Sequence, residues 1–362
     1  MQNANSVQTI EVTDISSFQE ARRQLEICNA CRYCEGYCSV FPAVHKERSF
    51  SDANIQQLAN LCHNCRGCFY ACQFTAPHQF ELNVPKALAE VRQDSWQKHA
   101  FPAAFATRFH KSGVAIASLV ILAFALVMMI MQSSPASGDT TFYDLVPHKV
   151  LVAIFTPLFL FPLLAIVISL RNYWQSIEGQ KIKLSHIKGA FVSAGKMKNL
   201  AGGHGDGCNF EEEDKFSHAR RYYHQATMWG FLLCFAATSV ATLLHYLFNI
   251  PAPYGFFSLP KLLGVSGGVL LSIGTFGLMV LKTKADKNLG DARVWGGEMA
   301  FVALLFAVST TGLLLWLLSA TSLLPLILAV HLASVAALFV LMPYSKMVHG
   351  FFRLAALIRN EQ

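Results

Sequence analysis

The sequence predicts an all-α protein in two parts, a small domain of short helices around two cysteine-rich loops and then a bundle of six membrane-spanning helices. Three observations predict it. One cysteine phrase occurs twice, as Cys28-x2-Cys31-x2-Cys34-x3-Cys38 and as Cys62-x2-Cys65-x2-Cys68-x3-Cys72. Nearly all long apolar runs lie beyond residue 111, in a chain of 362 residues with 53% hydrophobic and only 14% charged residues and a mean hydropathy of +0.38. No alternating apolar–polar pattern of strand type appears in residues 1–111.

The first part reads as helices framing the two runs. Ser17-x-x-Glu20 has the capping-box pattern ahead of Cys28. A helical stretch from about Ser51 (DANIQQLANL) leads into the second run, and another follows Pro85 (KALAEVRQDSWQK). A 4Fe–4S cubane takes four thiolates converging on one cage, and a tight Cys-x2-Cys-x2-Cys run supplies three of them from one loop. The fourth cysteine of each run is then free to reach the other cluster, which locks the two halves together. Residues 1–111 are therefore expected to form an α-helical ferredoxin-like domain holding two 4Fe–4S clusters, close enough to exchange electrons. In the bacterial ferredoxin run a proline follows the fourth cysteine, whereas here Ser39 follows Cys38 and Gln73 follows Cys72, so the local turn can differ. Four cysteines can also hold zinc. Zinc ribbons, however, space two Cys-x2-Cys pairs by a longer loop and do not place a third cysteine at the next x2 step.

The second part, 112–362, contains apolar stretches at about 113–131, 149–170, 226–248, 259–281, 298–318 and 323–342. Most reach the roughly 20 residues an α-helix needs to cross the hydrocarbon. SATS (319–322) and Pro325 divide the last two, which together are far too long for one span. Lys and Arg are absent from 132–147 and 249–258. They crowd 171–223 (Arg171, Lys181, Lys183, Lys188, Lys196, Lys198, Lys215, Arg220, Arg221), 282–297 (Lys282, Lys284, Lys287, Arg293) and the tail (Lys346, Arg353, Arg359). Every second loop is basic, which predicts both termini and the clusters on the cytoplasmic side of a bacterial inner membrane. The excess of basic residues in these loops accounts for the net charge of +7 and argues against nucleic acid as a partner.

Eight of the ten cysteines lie in the two runs, which suits a reducing compartment. Met1 to Ser17 is polar and mildly acidic, with no expected secretory signal. In the long inner loop, 182–200 reads as a basic amphipathic segment on the membrane surface. The G-x-G-x-G spacing in GGHGDG (202–207) follows no strand and reads as a turn rather than a dinucleotide site. Cys234 reads as a packing residue and Cys208 as a loop cysteine.

Ionisable side chains in spans are costly and tend to mark function. Of 13 histidines, His224, His245 and His331 stand at or in the third and sixth spans; His349 follows the sixth and His148 opens the second. A haem b held between helices needs two axial imidazoles facing one another at the same depth. His224 and His245 are 21 residues apart and His331 and His349 are 18 apart, roughly 31 and 27 Å along a helix. The third span runs outward and the sixth inward, so His224 is expected to pair with His349 at the inner level and His245 with His331 nearer the outer side, with His148 as a reserve ligand. That arrangement makes one or two haem b sites. A histidine at a span end can equally anchor at the interface or bond a carbonyl, although His331, flanked by LPLILAV and LASVAALFV, is the least easily explained so.

The doubled cysteine runs, DKFSHARRYYHQATMWGFLLCFAATSVATLLHYL (214–247) and PYSKMVHGFFRLAALIRN (343–360) resemble the tricarballylate/citrate utilisation protein B family over nearly the whole chain. The resemblance implies a membrane electron-transfer partner of a separate FAD-dependent tricarballylate dehydrogenase, with Cys28 to Cys72 as cluster ligands and quinone as acceptor. It also implies an oxidoreductase subunit rather than a complete enzyme. The chain shows no βαβ fingerprint for FAD or NAD, which fits a separate two-electron donor. Two other readings compete. In one, a haem-free anchor passes electrons from a cluster straight to quinone. In the other, the spans form a transporter with a metal-binding domain; against it, Gly264, Gly267 and Gly268 are better read as close-packing positions than as a broken substrate helix.

Overall fold

The computed structural model describes residues 16–38, 40–132, 142–197, 200, 205, 207–209 and 215–362. Among them the chain is helical and forms no strand; the one bridge joins Cys208 to Ser217. Most of GGHGDG lies outside the described residues.

Five helices build the cysteine domain: α1 (Ser17–Cys31), α2 (Val40–Lys46), α3 (Asp52–Leu61), α4 (Gly67–Tyr70) and α5 (Val84–His99). The capping box of α1 is one residue earlier than expected: the Gln19 N–H donates to Ser16 Oγ at 3.3 Å and Gln19 Oε1 accepts from the Ser16 N–H. Ser17 is instead the first helical residue, and its hydroxyl donates to Asp94 on α5 at 2.6 Å. Ser51 caps α3, and Asn83 caps α5 with Pro85 in the first turn, where a missing N–H costs nothing.

Eight further helices carry the membrane part: α6 (Ala103–Ile130), the short α7 (Phe142–Leu145), α8 (His148–Ser176), α9 (Leu184–Lys196), α10 (Ala219–Phe248), α11 (Leu259–Thr283), α12 (Trp295–Leu317) and α13 (Leu324–Leu341); α14 (Val348–Asn360) closes the chain. Six segments are long and apolar enough to cross a membrane, which makes this a membrane protein. Of these, α6, α10 and α12 begin before the expected limits and α8 ends beyond its own, by up to ten residues, and the expected boundary after residue 111 falls inside α6. The helices simply continue beyond the hydrocarbon, where apolar composition no longer reports them. Pro157 and Pro162 lie inside α8, as transmembrane helices tolerate.

Small residues set the spacing in the bundle. A Cβ on Gly267 of α11 would come within 2.8 Å of Leu233 Cβ on α10, and one on Gly113 of α6 within 2.7 Å of Gly297 Cα on α12. A Cβ on Gly268 would come within 3.0 Å of Leu313, whereas one on Gly264 would meet Ala237 Cβ at an ordinary 3.6 Å. Cys234 packs beside this core. At the inner end Glu298 joins Lys282 and Lys346, the latter at 2.6 Å, tying α11 and α12 to the segment before α14.

The cysteine domain shares its core with the rest of the chain. Leu25, Val44, Ile55, Leu61, Leu88 and Val91 pack with Ala190 of α9 and with Ala356 and Leu357 of α14. The exposed face of α9 carries Leu184 and Phe191. A second joint forms where α3, α5 and α8 meet. There Trp96 Nε1 donates to Asn60 Oδ1 at 2.8 Å, and His99 Nε2 sits 3.1 Å from Gln56 Oε1 and 3.0 Å from Ser176 Oγ.

Burial holds the His99 imidazole well below the usual histidine range, at about 4, with Lys98 adding to the effect. An unfolded histidine titrates near 6.5, so the native state binds fewer protons. The stability of this joint is therefore complete above pH ~6.5 and is lost as pH falls toward 4. The melting temperature of the detergent-purified protein is expected to drop between pH 7.5 and 5, and His99→Gln should flatten that drop, as read by scanning fluorimetry across the range.

Candidate metal centre and imidazole pairs

The two cysteine runs share one backbone feature. Arg32 after Cys31 and Arg66 after Cys65 both have positive φ, 56° and 68°. Such residues are uncommon outside glycine, and here each turns the chain sharply inside its run. Three closely spaced cysteines thereby face one hollow.

The fourth comes from the other run. Cys28, Cys31, Cys34 and Cys72 line one cavity of about 230 Å3, with Tyr33, Phe74 and Leu82. Cys38, Cys62, Cys65 and Cys68 line a narrower one with His63, Asn64 and Leu88. Phe41, 3% exposed, is a wall of both cavities. No group of three or more His, Cys, Asp or Glu among the described residues is arranged to hold a single metal ion. An iron–sulfide cage spaces its four thiolates farther apart than one zinc does, so eight cysteines in two hollows suit the cage better.

The thiols carry the electrostatic mark of crowded anionic ligands. Burial, with Cys34, Cys72 and Cys31 adding, pushes Cys28 up to about 12; Cys34 rises equally by burial and by Cys72 and Cys31. Cys38 is driven up by burial and then by Cys65 and Cys62, and Cys68 by burial and then by Cys65 and Cys38. Such sulfurs ionise only when a cationic centre offsets them. Backbone N–H groups point to sulfur in both sets, among them Asn64 to Cys62 and Phe74 to Cys72, both at 3.4 Å.

The two hollows differ in exposure. Cys31 is exposed and its neighbour Tyr33 is 68% exposed, whereas Cys65 is buried. Chain from the membrane part covers Cys65: the Asn209 N–H donates to its carbonyl at 2.9 Å, beside the Cys208–Ser217 bridge, and Asn64 Nδ2 donates to Leu289 O at 3.1 Å. Cys208, expected as an ordinary loop cysteine, is 1% exposed and packs with Cys65, Met197 and Leu200.

His63 follows Cys62 directly. Its Nδ1 lies 3.0 Å from Leu61 O, and burial with nearby Arg353, Arg220 and His224 holds its charged form well down. Beyond it, the structure brings His224 of α10 and His349 of α14 together, with ring centroids 5.8 Å apart and planes at 88°. His349 Nδ1 sits 2.5 Å from Lys346 O, which leaves Nε2 for another partner, and His224 Nδ1 is buried with none. This pair suits an iron held from two sides.

The expected outer pair is not formed. His245 stacks on His148 at 4.2 Å with planes 15° apart, among Tyr143 and Tyr246, while His331 turns to α12, Nδ1 3.1 Å from Thr311 Oγ1 over Gly312. On the outer side, then, His245 meets His148, the reserve ligand, rather than His331. The expectation failed because α13 stops at Leu341 and a 3-10 turn (Met342–Tyr344) separates it from α14. His331 and His349 therefore do not share one helical face, and depth counted along a single rod does not transfer.

The arrangement defines a membrane protein with a cysteine-rich domain packed against one end of its helical bundle. Residues 108–362 match the family described as Citrate utilization protein B, and residues 21–99 match its Fer4-like domain. Citrate utilization protein B of Escherichia coli is 42% identical over 347 residues, which cover 94% of this chain and 91% of that protein. No solved structure matches the chain. The chain belongs to the citrate utilization protein B family, and the Fer4-like domain indicates an iron–sulfur electron-transfer role.

Exchange of the fourth ligands has a direct consequence. Cys38→Ser is expected to strip the centre of Cys62, Cys65 and Cys68 and spare that of Cys28, Cys31 and Cys34, roughly halving bound iron and sulfide; Cys72→Ser should do the converse. Electron paramagnetic resonance of the reduced variants distinguishes this from loss of the centre in the mutated cysteine's own run. Cys65→Ser should remove iron and abolish transfer from the donor.

Proposed function

We propose that this protein reoxidises the reduced flavin of a partner FAD-dependent tricarballylate dehydrogenase and delivers the electrons to membrane quinone. The observation that carries the reading is the ordered arrangement of an exposed four-cysteine set, a covered four-cysteine set and an imidazole pair at the start of the bundle. Cys28, Cys31, Cys34 and Cys72 would hold one 4Fe–4S cluster, and Cys38, Cys62, Cys65 and Cys68 a second. His224 and His349 would hold one haem b. Bound there, these groups supply one-electron transfer, which splits a flavin's electron pair into single steps.

The chain's own residues do the rest. Tyr33 and the exposed edge of Cys31 offer a surface on which a flavoprotein can come close. Phe41 keeps the two hollows adjacent and excludes water between them. Asn209 with the Cys208–Ser217 bridge and the turn at 286–291 close the second hollow on the membrane side, and His63 stands between it and His224. The Lys/Arg pattern supports a cytoplasmic position for the clusters and both termini in a bacterial inner membrane. The citrate utilisation named for the relative supports a tricarboxylate donor pathway.

The deciding measurement is a dithionite-reduced minus oxidised visible spectrum of the detergent-purified protein, with iron and sulfide counted on the same sample. About eight irons and sulfides in the clusters plus a sharp haem b α-band are expected. His349→Ala should remove the α-band and slow quinone reduction while leaving the cluster signals, whereas His331→Ala should keep the band. Broad bleaching without an α-band would instead favour the haem-free anchor.

A further inference from the structure

Four guanidinium groups converge on the loop that carries Cys62 and Cys65. Arg92 of α5 donates from Nη1 to the Cys62 carbonyl at 2.8 Å, and Arg353 of α14 donates to the same oxygen at 2.7 Å and to Asn60 O at 3.1 Å. Arg220 of α10 donates to the Asn64 carbonyl at 2.7 Å. Arg66, inside the loop and 4% exposed, donates to Asn64 Oδ1 at 3.2 Å. Of the nearby carboxylates, Glu298 is already taken by Lys282 and Lys346, and Asp286, which acts on Arg66, sets a single carboxylate against four guanidiniums.

The first hollow is built differently. Arg32 occupies the place equivalent to Arg66, but it is exposed and donates to Asn29 O at 3.1 Å. The charges that act on Cys28 and Cys34 are those of the other cysteines in the set. Arg220, by contrast, acts directly on Cys65.

We propose that the collar of Arg66, Arg92, Arg220 and Arg353 makes the centre at Cys38, Cys62, Cys65 and Cys68 the more easily reduced of the two, so that electrons collect beside the bundle. This rests on the two-cluster reading above. Reduction adds one negative charge to a thiolate-held centre. Burial alone opposes that charge, because it removes solvent, whereas fixed cations favour it and act with little screening where water is excluded. Four guanidiniums around a covered site reverse the order that burial alone would set. The step they bias is a single electron passing from one centre to the other; one is oxidised, one is reduced, and no bond or proton moves. The arginines are positioning residues: toward the loop of Cys62 and Cys65 they donate to oxygen, and Arg220 also bonds the Cys208 thiol.

The test uses the full-length protein in detergent, titrated with dithionite against redox mediators and followed by electron paramagnetic resonance, with iron and sulfide counted for each sample. Two reduction waves are expected, the higher being the one that Cys38→Ser removes. Arg353→Gln and Arg92→Gln, which keep a hydrogen-bond donor but lose the charge, should lower the midpoint of the higher wave and leave the lower wave and the iron count unchanged. Arg353→Lys should restore most of the midpoint. Should Arg353→Gln not fold, the half-buried Arg92→Gln gives the same reading. Unmoved midpoints in iron-replete Gln variants, or Cys38→Ser removing the lower wave, would overturn the collar and leave the two-cluster reading intact. A wild-type protein without iron would overturn both, and the iron count shows which has failed.

Discussion

A cage that demands four thiolates cannot be filled by one short loop, and the rest of this structure follows from that shortage. Three cysteines at x2 spacing reach one side of a hollow. The fourth must arrive from elsewhere, and here each run lends its last cysteine to the other. Cys38 and Cys72 therefore act as cross-links between α1–α2 and α3–α4 without any disulfide. Phe41 stands at the centre of the exchange and touches both hollows. Neither half can form its hollow alone, so the core of Leu25, Ile55, Leu61 and Leu88 is as much a condition for the sites as the cysteines themselves.

The same dependence extends into the membrane part. Cys65 is covered by Asn209 beside the Cys208–Ser217 bridge, its loop is held by Arg220 and Arg353, and Asn64 bonds a carbonyl in the 286–291 turn. Each contact is a side chain or N–H meeting backbone of a different element, which fixes position rather than merely adding attraction. The Glu298–Lys282–Lys346 triad anchors the other side of this junction. A chain in which the cysteine domain swung freely on a linker would lose the fixed separation that stepwise electron transfer needs.

Much of this was legible in the sequence, for identifiable reasons. Thiolate chemistry has rigid spacing rules, so both runs could be read as ligand sets, and the structure places Cys72 beside Cys28, Cys31 and Cys34 and Cys38 beside Cys62, Cys65 and Cys68. Span number follows from hydrocarbon thickness, and SATS with Pro325 correctly divides α12 from α13. The inner pair His224–His349 was reachable by counting depth. The pairing of His245 with His331 was not, because the count assumed an unbroken rod through residues 342–347; His245 meets instead the first residue of α8, His148, which the sequence offered only as a reserve. The capping box slipped by one residue because Ser16-x-x-Gln19 and Ser17-x-x-Glu20 both fit the pattern, and only the contact from Ser17 to Asp94, distant in sequence, decides between them. The arginines were legible as inner-loop charge but not as neighbours of one loop, since their convergence is a property of tertiary packing.

Exposure and charge run in opposite directions along this chain of sites, and that opposition gives it direction. The hollow that meets solvent at Cys31 and Tyr33 has its charge screened by water and needs no fixed cations. The hollow at Cys65 has lost its water to the covering segments, and an added electron there would be unfavourable without the guanidiniums gathered on Cys62 and Asn64. Covering the site and collaring it are thus one requirement met by the same elements: α10 brings Arg220 as it brings His224, and α14 brings Arg353 as it brings His349. The groups that make the inner centre a resting place for charge are carried on the helices that offer that charge its next step into the bilayer.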